Sequence, residues 1–269
     1  MQKDALDFIE RQSLQAASVE GVDVPSRVLH KDFQIVSLEK QMKNRARYRG
    51  KFNTKAISDF AIYSSQFPRG KCFVNADHMK AVSIFDLGTV DAPLHAEHSA
   101  TITLQQTAPY KAMLATCNDR LERKRLAEWL EDWADYLIGY TAAGEAMDIK
   151  LVISTVRKLT IASAAESTHT TNDFNASRSS LETIEAKSGN VMAAGVRFKC
   201  TPYHGLGERS FDLRLSIITD HDDPKLILRV VRLEDAVEQM AKEFAEVLNT
   251  ALKSGGADAD IVLGTFDPS

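Results

Sequence analysis

Two imidazoles stand three residues apart in Asp91-Ala-Pro-Leu-His95-Ala-Glu97-His98. With the Glu97 carboxylate beside them, they could hold zinc or a similar ion, provided a turn or helix presents both rings on one side. The spacing is not that of HExxH, whose histidines lie four apart on a helix. On an extended strand, residues three apart point to opposite faces, which would break the site. The competing reading is a polar loop feeding a strand, with the histidines bonded to backbone groups.

A second chemistry-bearing stretch is basic. Lys40, Lys43, Arg45, Arg47, Arg49, Lys51 and Lys55 follow one another with no acid among them. Arg45, Arg47, Arg49 and Lys51 alternate strictly, so on a strand all four project from one face. Cations so placed repel each other and favour an anionic partner such as phosphate, nucleic acid or an acidic protein. Tyr48 would point to the opposite face, which leaves no obvious stacking platform for single strands. The alternative is a solvated sheet face, or one paired with acids from a neighbouring strand or subunit.

Other motifs fall short of chemistry. Arg69-Gly70-Lys71 lacks the Walker glycine spacing, and no GxSxG elbow is present. His204-Gly205-Leu206-Gly207-Glu208-Arg209-Ser210 starts like GxGxxG but lacks the last glycine, and it joins two strands rather than a strand and a helix. No cofactor is implied. Asp77-His78, Asp173, His204 and Asp222 fall in loops, where sequence alone cannot assemble them into a constellation.

The elements that must position these residues can be read from periodicity. A helix is expected near residues 5–14, a short strand near Phe33–Ser37, and a strand then a helix across RARYRGKFNT and AISDFAIYSSQF. KCFVNADHMKAVSIF reads as a hairpin, and SATITLQQT as the third strand of its sheet. Residues 122–140 carry Leu126, Trp129, Leu130, Trp133, Leu137 and Tyr140 at helical steps, and a second helix covers MDIKLVISTVRKLTIAS. Residues 163–181 turn polar and read as a linker or long loop. Beyond them SLETIEAKS, AAGVRFKCTPY, SFDLRLSIIT and KLILRVVRL form a meander. The helix EDAVEQMAKEFAEVLNTALKSGG follows, and DIVLGTF is a last strand.

Strands cluster on either side of a central helix pair without βαβ alternation. The expected class is α+β, with mainly antiparallel sheets and a late C-terminal helix. Two lobes, 1–165 and 175–269, or one continuous domain, fit this order. A net charge of −4 over 269 residues gives no global pull toward nucleic acid. The opening residues lack a signal peptide's apolar core, and no stretch is apolar enough for a membrane span. The three cysteines, Cys72, Cys117 and Cys200, are expected to be buried thiols of a cytoplasmic protein.

The order RxRxRG, SDFAIYSSQF, CFVNADHMKAVSIFDLG and PLHAEHSATITL resembles the YfdQ-like family of phage and prophage proteins, best over residues 45–140. That family's box is of the PGHADHRA type. His95 and His98 match it, whereas Leu94, Glu97 and Ser99 depart from it. The resemblance implies a phage or prophage protein of undescribed chemistry, encoded among early genes. Three functions are therefore expected, in this order. The first is a non-enzymatic accessory protein that self-assembles and masks or sequesters a component, using exposed Trp and Leu stripes and β edges. The second is a nucleic-acid-binding accessory to recombination or replication that uses the basic stretch. The third is a metal-dependent hydrolase using His95 and His98.

Overall fold

The computed structural model describes residues 2–16, 39–67, 70–158, 193–219, 224–257 and 260–267. It divides into two units, Met1–Tyr48 and Arg49–Ser269. In the first, helix α1 (Gln2–Ala16) leaves Leu6, Phe8 and Ile9 exposed, and a 3-10 turn covers Glu39–Gln41.

The second unit holds two five-stranded sheets. The first sheet takes β1 (Gly50–Thr54), β2 (Lys71–Asn75), β3 (Lys80–Ile84), β4 (His98–Thr103) and β10 (Asp260–Leu263), in the order β1-β4-β3-β2-β10. Its inner pairs are antiparallel, while β1 on β4 and β10 on β2 are parallel. Parallel neighbours need a crossover, and the helices supply one each time. Helix α2 (Ile57–Ser65) follows β1 and packs on β1 and β4. Helix α6 (Leu233–Ser254) precedes β10 and packs on α2. Alternation sets the covered face: Cys72, Val74, Ala81, His98, Ala100 and Ile102 are buried.

The second sheet is antiparallel throughout. It takes β5 (Leu137–Tyr140), β6 (Ala146–Met147), β7 (Gly195–Cys200), β8 (Arg209–Thr219) and β9 (Pro224–Val230), in the order β6-β5-β7-β8-β9. Helices α3 (Ala108–Thr116), α4 (Arg123–Asp132) and α5 (Ile149–Lys158) contact it through β7, β9 and β5 respectively. One apolar cluster runs from Phe60 and Cys72 through Phe198 and Leu213 to Phe244 and Leu248. The class is mixed α+β with two mostly antiparallel sheets and a late C-terminal helix, as the order of elements predicts.

The structure departs from the sequence reading in several places. The long helix over 122–140 stops at Asp132, and Leu137–Tyr140 becomes β5, paired to β7. Gly139 marks the reason: a Cβ there would sit 2.4 Å from Val152 Cγ2, so only glycine lets β5 pass under α5. Helix α3 was not expected, although Thr107 caps it and Pro109 opens it. The Trp and Leu stripe of α4 is not exposed: Leu126 and Leu130 are buried, and Trp129 and Trp133 pack on the core. A boundary near residue 170 does not separate the sheets, since β5 and β6 join the second sheet and β10 joins the first. The strand at 33–37, the polar stretch 163–181 and the SLETIEAKS strand lie outside the described residues.

The three cysteines are free and buried. Burial pushes their thiols up, Cys72 and Cys200 to about 11 and Cys117 to about 12, so all three stay protonated and poorly nucleophilic at neutral pH.

Candidate functional site

The histidine box is built on Asp86, just past the end of β3. Its carboxylate accepts the Glu97 N–H at 3.0 Å and the His98 N–H at 2.9 Å. The Asp86 carbonyl accepts the Ala96 N–H at 3.0 Å, and the Leu87 carbonyl accepts the Leu94 N–H at 3.2 Å. These bonds close the loop between β3 and β4 on itself. They also hold Ala96 at a left-handed φ of 51°, a conformation that costs a residue with a Cβ. Gly88, at φ 75°, lies so close to Ala92 and Leu94 that a side chain has no room.

The box sends its two histidines to different surroundings. His95 is exposed in the loop. His98 is 2% exposed, on the covered face at the start of β4. Its Nε2 lies 3.0 Å from the Tyr63 hydroxyl of α2. Phe67 and Phe85 flank the ring, with centroids at 4.3 and 4.8 Å, and Tyr63 stacks on Phe52 of β1 at 4.5 Å. The result is an aromatic enclosure around one imidazole that joins β1, α2, β3 and β4. Among the described residues no three His, Cys, Asp or Glu side chains come together as a metal site.

Burial pushes the His98 imidazole below its ordinary 6.5, against a smaller upward pull from Asp86. Between the folded value and 6.5 the unfolded chain takes up the proton first, so acidification through that window destabilises the fold. Above 6.5 the ring is neutral in both states and adds no slope. Urea denaturation from about pH 8 to about pH 5 should show this loss of stability, and His98→Gln should flatten it. An equal slope in both proteins would assign the loss to other groups.

The basic stretch does not form the four-residue alternating face. Strand β1 begins at Gly50, whose N–H bonds to the Glu97 carbonyl, and its partner β4 begins opposite at His98. Before that point β4 gives way to the histidine loop, so among the described residues no strand lies alongside residues 45–49 to extend the ladder. Arg45 and Arg47 fall in irregular chain of the first unit, Arg49 directly precedes β1, and only Lys51 is on the strand. Arg49 lies 4.0 Å from Glu97, both partly exposed, a pair of little energetic weight.

Register gives Lys51 different companions. Lys51 pairs with Ser99, Ser99 with Ile84, and Ile84 with Lys71, so all four share the face of the first sheet away from α2. Lys80, two rows away, has the same parity on β3. Lys51, Lys71 and Lys80 are all exposed. Between their rows lie Asn53, Thr101, Val82 and Phe73, and the Phe73 ring stacks on Phe266 at 4.9 Å. This lysine–hydroxyl–phenyl face was invisible from spacing, because its members come from separate strands whose register only the ladder fixes. The single cue available was the alternation within each strand.

No helix among the described residues is long and apolar enough to cross a membrane. Neither a curated protein nor a solved structure matches the chain. The family described as "Uncharacterized conserved protein (DUF2303)" matches residues 3–266, nearly the whole length. The chain belongs to the DUF2303 family of uncharacterised conserved proteins, with its histidine box and lysine face both inside the matched span.

Proposed function

We propose that this protein is a non-enzymatic phage or prophage accessory protein that works as a homo-oligomer, masking or sequestering a host or phage component. The observation that carries self-assembly is the edge strand β10. Among the described residues four strands end the two sheets, and three of them are blunted. β9 is covered where Asn118 and Leu121 donate to the carbonyls of Leu228 and Leu226. β6 is two residues long, and β1 carries Lys51 with Lys55 just beyond it. Short or charged edges of this kind resist pairing with another chain. Among the described residues β10 carries one charge, Asp260 at its first position, and beyond it Val262 is 44% and Leu263 71% exposed, with Phe266 following. Because the Gly264 N–H bonds inward to the Val74 carbonyl, alternation turns the Leu263 N–H toward the open side. Two copies related by a twofold axis can join β10 to β10 and continue the sheet without leaving an apolar edge. The phage or prophage setting is supported by the order of motifs from Arg45 to Leu104.

Light scattering coupled to size-exclusion chromatography tests the edge. Wild type should run as a multimer, and Leu263→Pro, which removes the outward donor, should shift it to monomer, with Leu263→Lys doing the same by charge. A multimer untouched by both variants would move the interface elsewhere and remove the support drawn from β10.

A second reading, nucleic-acid binding in recombination or replication, is favoured by the face that carries Lys51, Lys71, Lys80 and the Phe73–Phe266 stack. Aromatic rings and lysines on a sheet suit single strands, whose bases stack while their phosphates pair. Retention of wild type on single-stranded DNA at low salt, lost in Lys51→Ala/Lys71→Ala, is its expected result. Passage of wild type straight through would end it.

A further inference from the structure

Where α4 ends and the chain turns toward β5, a cavity of about 540 Å³ opens along the flank of α5. Its apolar lining is Ala134, Ile149 and Ile153, and its charged groups are Lys150, Arg157, Lys158 and Glu131. We propose that this cavity binds a single-chain aliphatic anion, with the alkyl chain on the isoleucines and the acid head on the lysines.

The sequence of α5 places the two requirements side by side. Val152 and Val156 are buried, and Val152 lies over Gly139 of β5, which fixes the inward face of the helix. Ile149, Ile153 and Arg157 then form one row at steps of four residues, and Lys150, Ser154 and Lys158 form the next. The two isoleucines are only half-buried, because α4 stops at Asp132 and the wall beside them is the small side chain of Ala134. From Lys150 to Lys158 the helix rises about 12 Å, so a medium-length alkyl chain can lie along it. The volume falls in the range of small-ligand pockets, roughly 300–1,000 Å³.

Charge sets the head group. Glu131 is the one carboxylate of the lining, and Arg157 donates to both its oxygens, at 2.6 and 2.8 Å. That pair ties α4 to α5 and leaves Lys150 and Lys158 as the excess. Among the described residues neither lysine side chain has an ion-pair or hydrogen-bond partner. Asp132, Asp135 and Asp148 are close in the chain, but none lines the cavity, and Asp148 accepts the Lys150 backbone N–H at 2.8 Å. A bare phosphate would meet the lysines and leave the isoleucines wet. A neutral hydrocarbon would cover the isoleucines and leave the lysines without a counter-charge. A ligand with both parts uses the whole lining: burial of its chain supplies affinity, and the ion pairs supply orientation.

Titration calorimetry on the full chain tests the site with decanoate, acetate and decyltrimethylammonium as separate probes. Decanoate should bind one-to-one. Acetate, which lacks the chain, and the ammonium, which reverses the head, should give no measurable binding. Lys150→Ala/Lys158→Ala should weaken decanoate about five- to tenfold, the loss of two exposed ion pairs. Ile153→Asp should abolish binding, and Lys111→Ala, on the exposed surface of α3, should bind as wild type does. Circular dichroism checks that each variant is folded. Both lysines are exposed, so their double variant keeps the test decisive if Ile153→Asp does not fold. No binding of decanoate at millimolar concentration, equal binding of acetate or the ammonium, or an affinity that the lysine variant leaves unchanged would overturn the proposal.

Discussion

Phe198→Ala should destabilise the protein by about 3–5 kcal/mol, the cost of emptying a fully buried phenyl site. Phe198 lies on the middle strand of the second sheet and is 0% exposed. Trp129 and Tyr136 stack on it with centroids at 5.8 and 5.7 Å, and Trp133 approaches at 6.3 Å. The ring is therefore the common floor for the end of α4 and the turn into β5. Few neighbours can collapse into the space, because the surrounding rings are themselves anchored on rigid elements. Both tryptophans of the chain touch this ring, so intrinsic fluorescence reads the change directly. The expected result is a urea midpoint well below wild type, with the emission of the folded state shifted to longer wavelength. A loss below about 1 kcal/mol would mean that the stack is looser than its geometry.

Asp86→Ala should cost about 2–4 kcal/mol, from two charge-assisted bonds to backbone N–H groups lost together. The Asp86 carboxylate grips His98 by its backbone N–H. It holds the chain that delivers His98 to Tyr63, so its loss should loosen the enclosure as well as the loop. Asp86→Asn keeps an acceptor in place and should recover a good part of the stability. Chemical denaturation of the three proteins measures the order wild type, Asn, Ala. If Asn and Ala fall equally, the negative charge rather than the bond geometry holds the loop. If neither falls, the box is held by its backbone bonds alone.

Much of the architecture was legible because its elements repeat a clean period. The apolar face of α6, with Met240, Phe244 and Leu248, and the strict alternation of Phe211, Leu213 and Leu215 in β8 each show their period in the sequence alone. The end of α4 was misread for a physical reason. Leu137 and Tyr140 keep the helical spacing of the preceding residues, yet the pairing of Leu137 with Phe198 outweighs the local preference. The basic stretch failed similarly. Alternation from Arg45 to Lys51 is a property of the chain, whereas strand length is set by the partner, and β4 starts only at His98. The histidine pair was recognisable as a special place, but its basis, Asp86, lies outside the box. The lysine face depends on register across strands, which no single window of sequence contains.

We propose that this protein assembles with copies of itself through the β10 edge. Native mass spectrometry of gently purified full-length protein tests it most directly, since one spectrum reads subunit number together with any retained ligand. A closed multimer that Leu263→Pro converts to single chains is the predicted result. A single-chain species for wild type at micromolar concentration would contradict it.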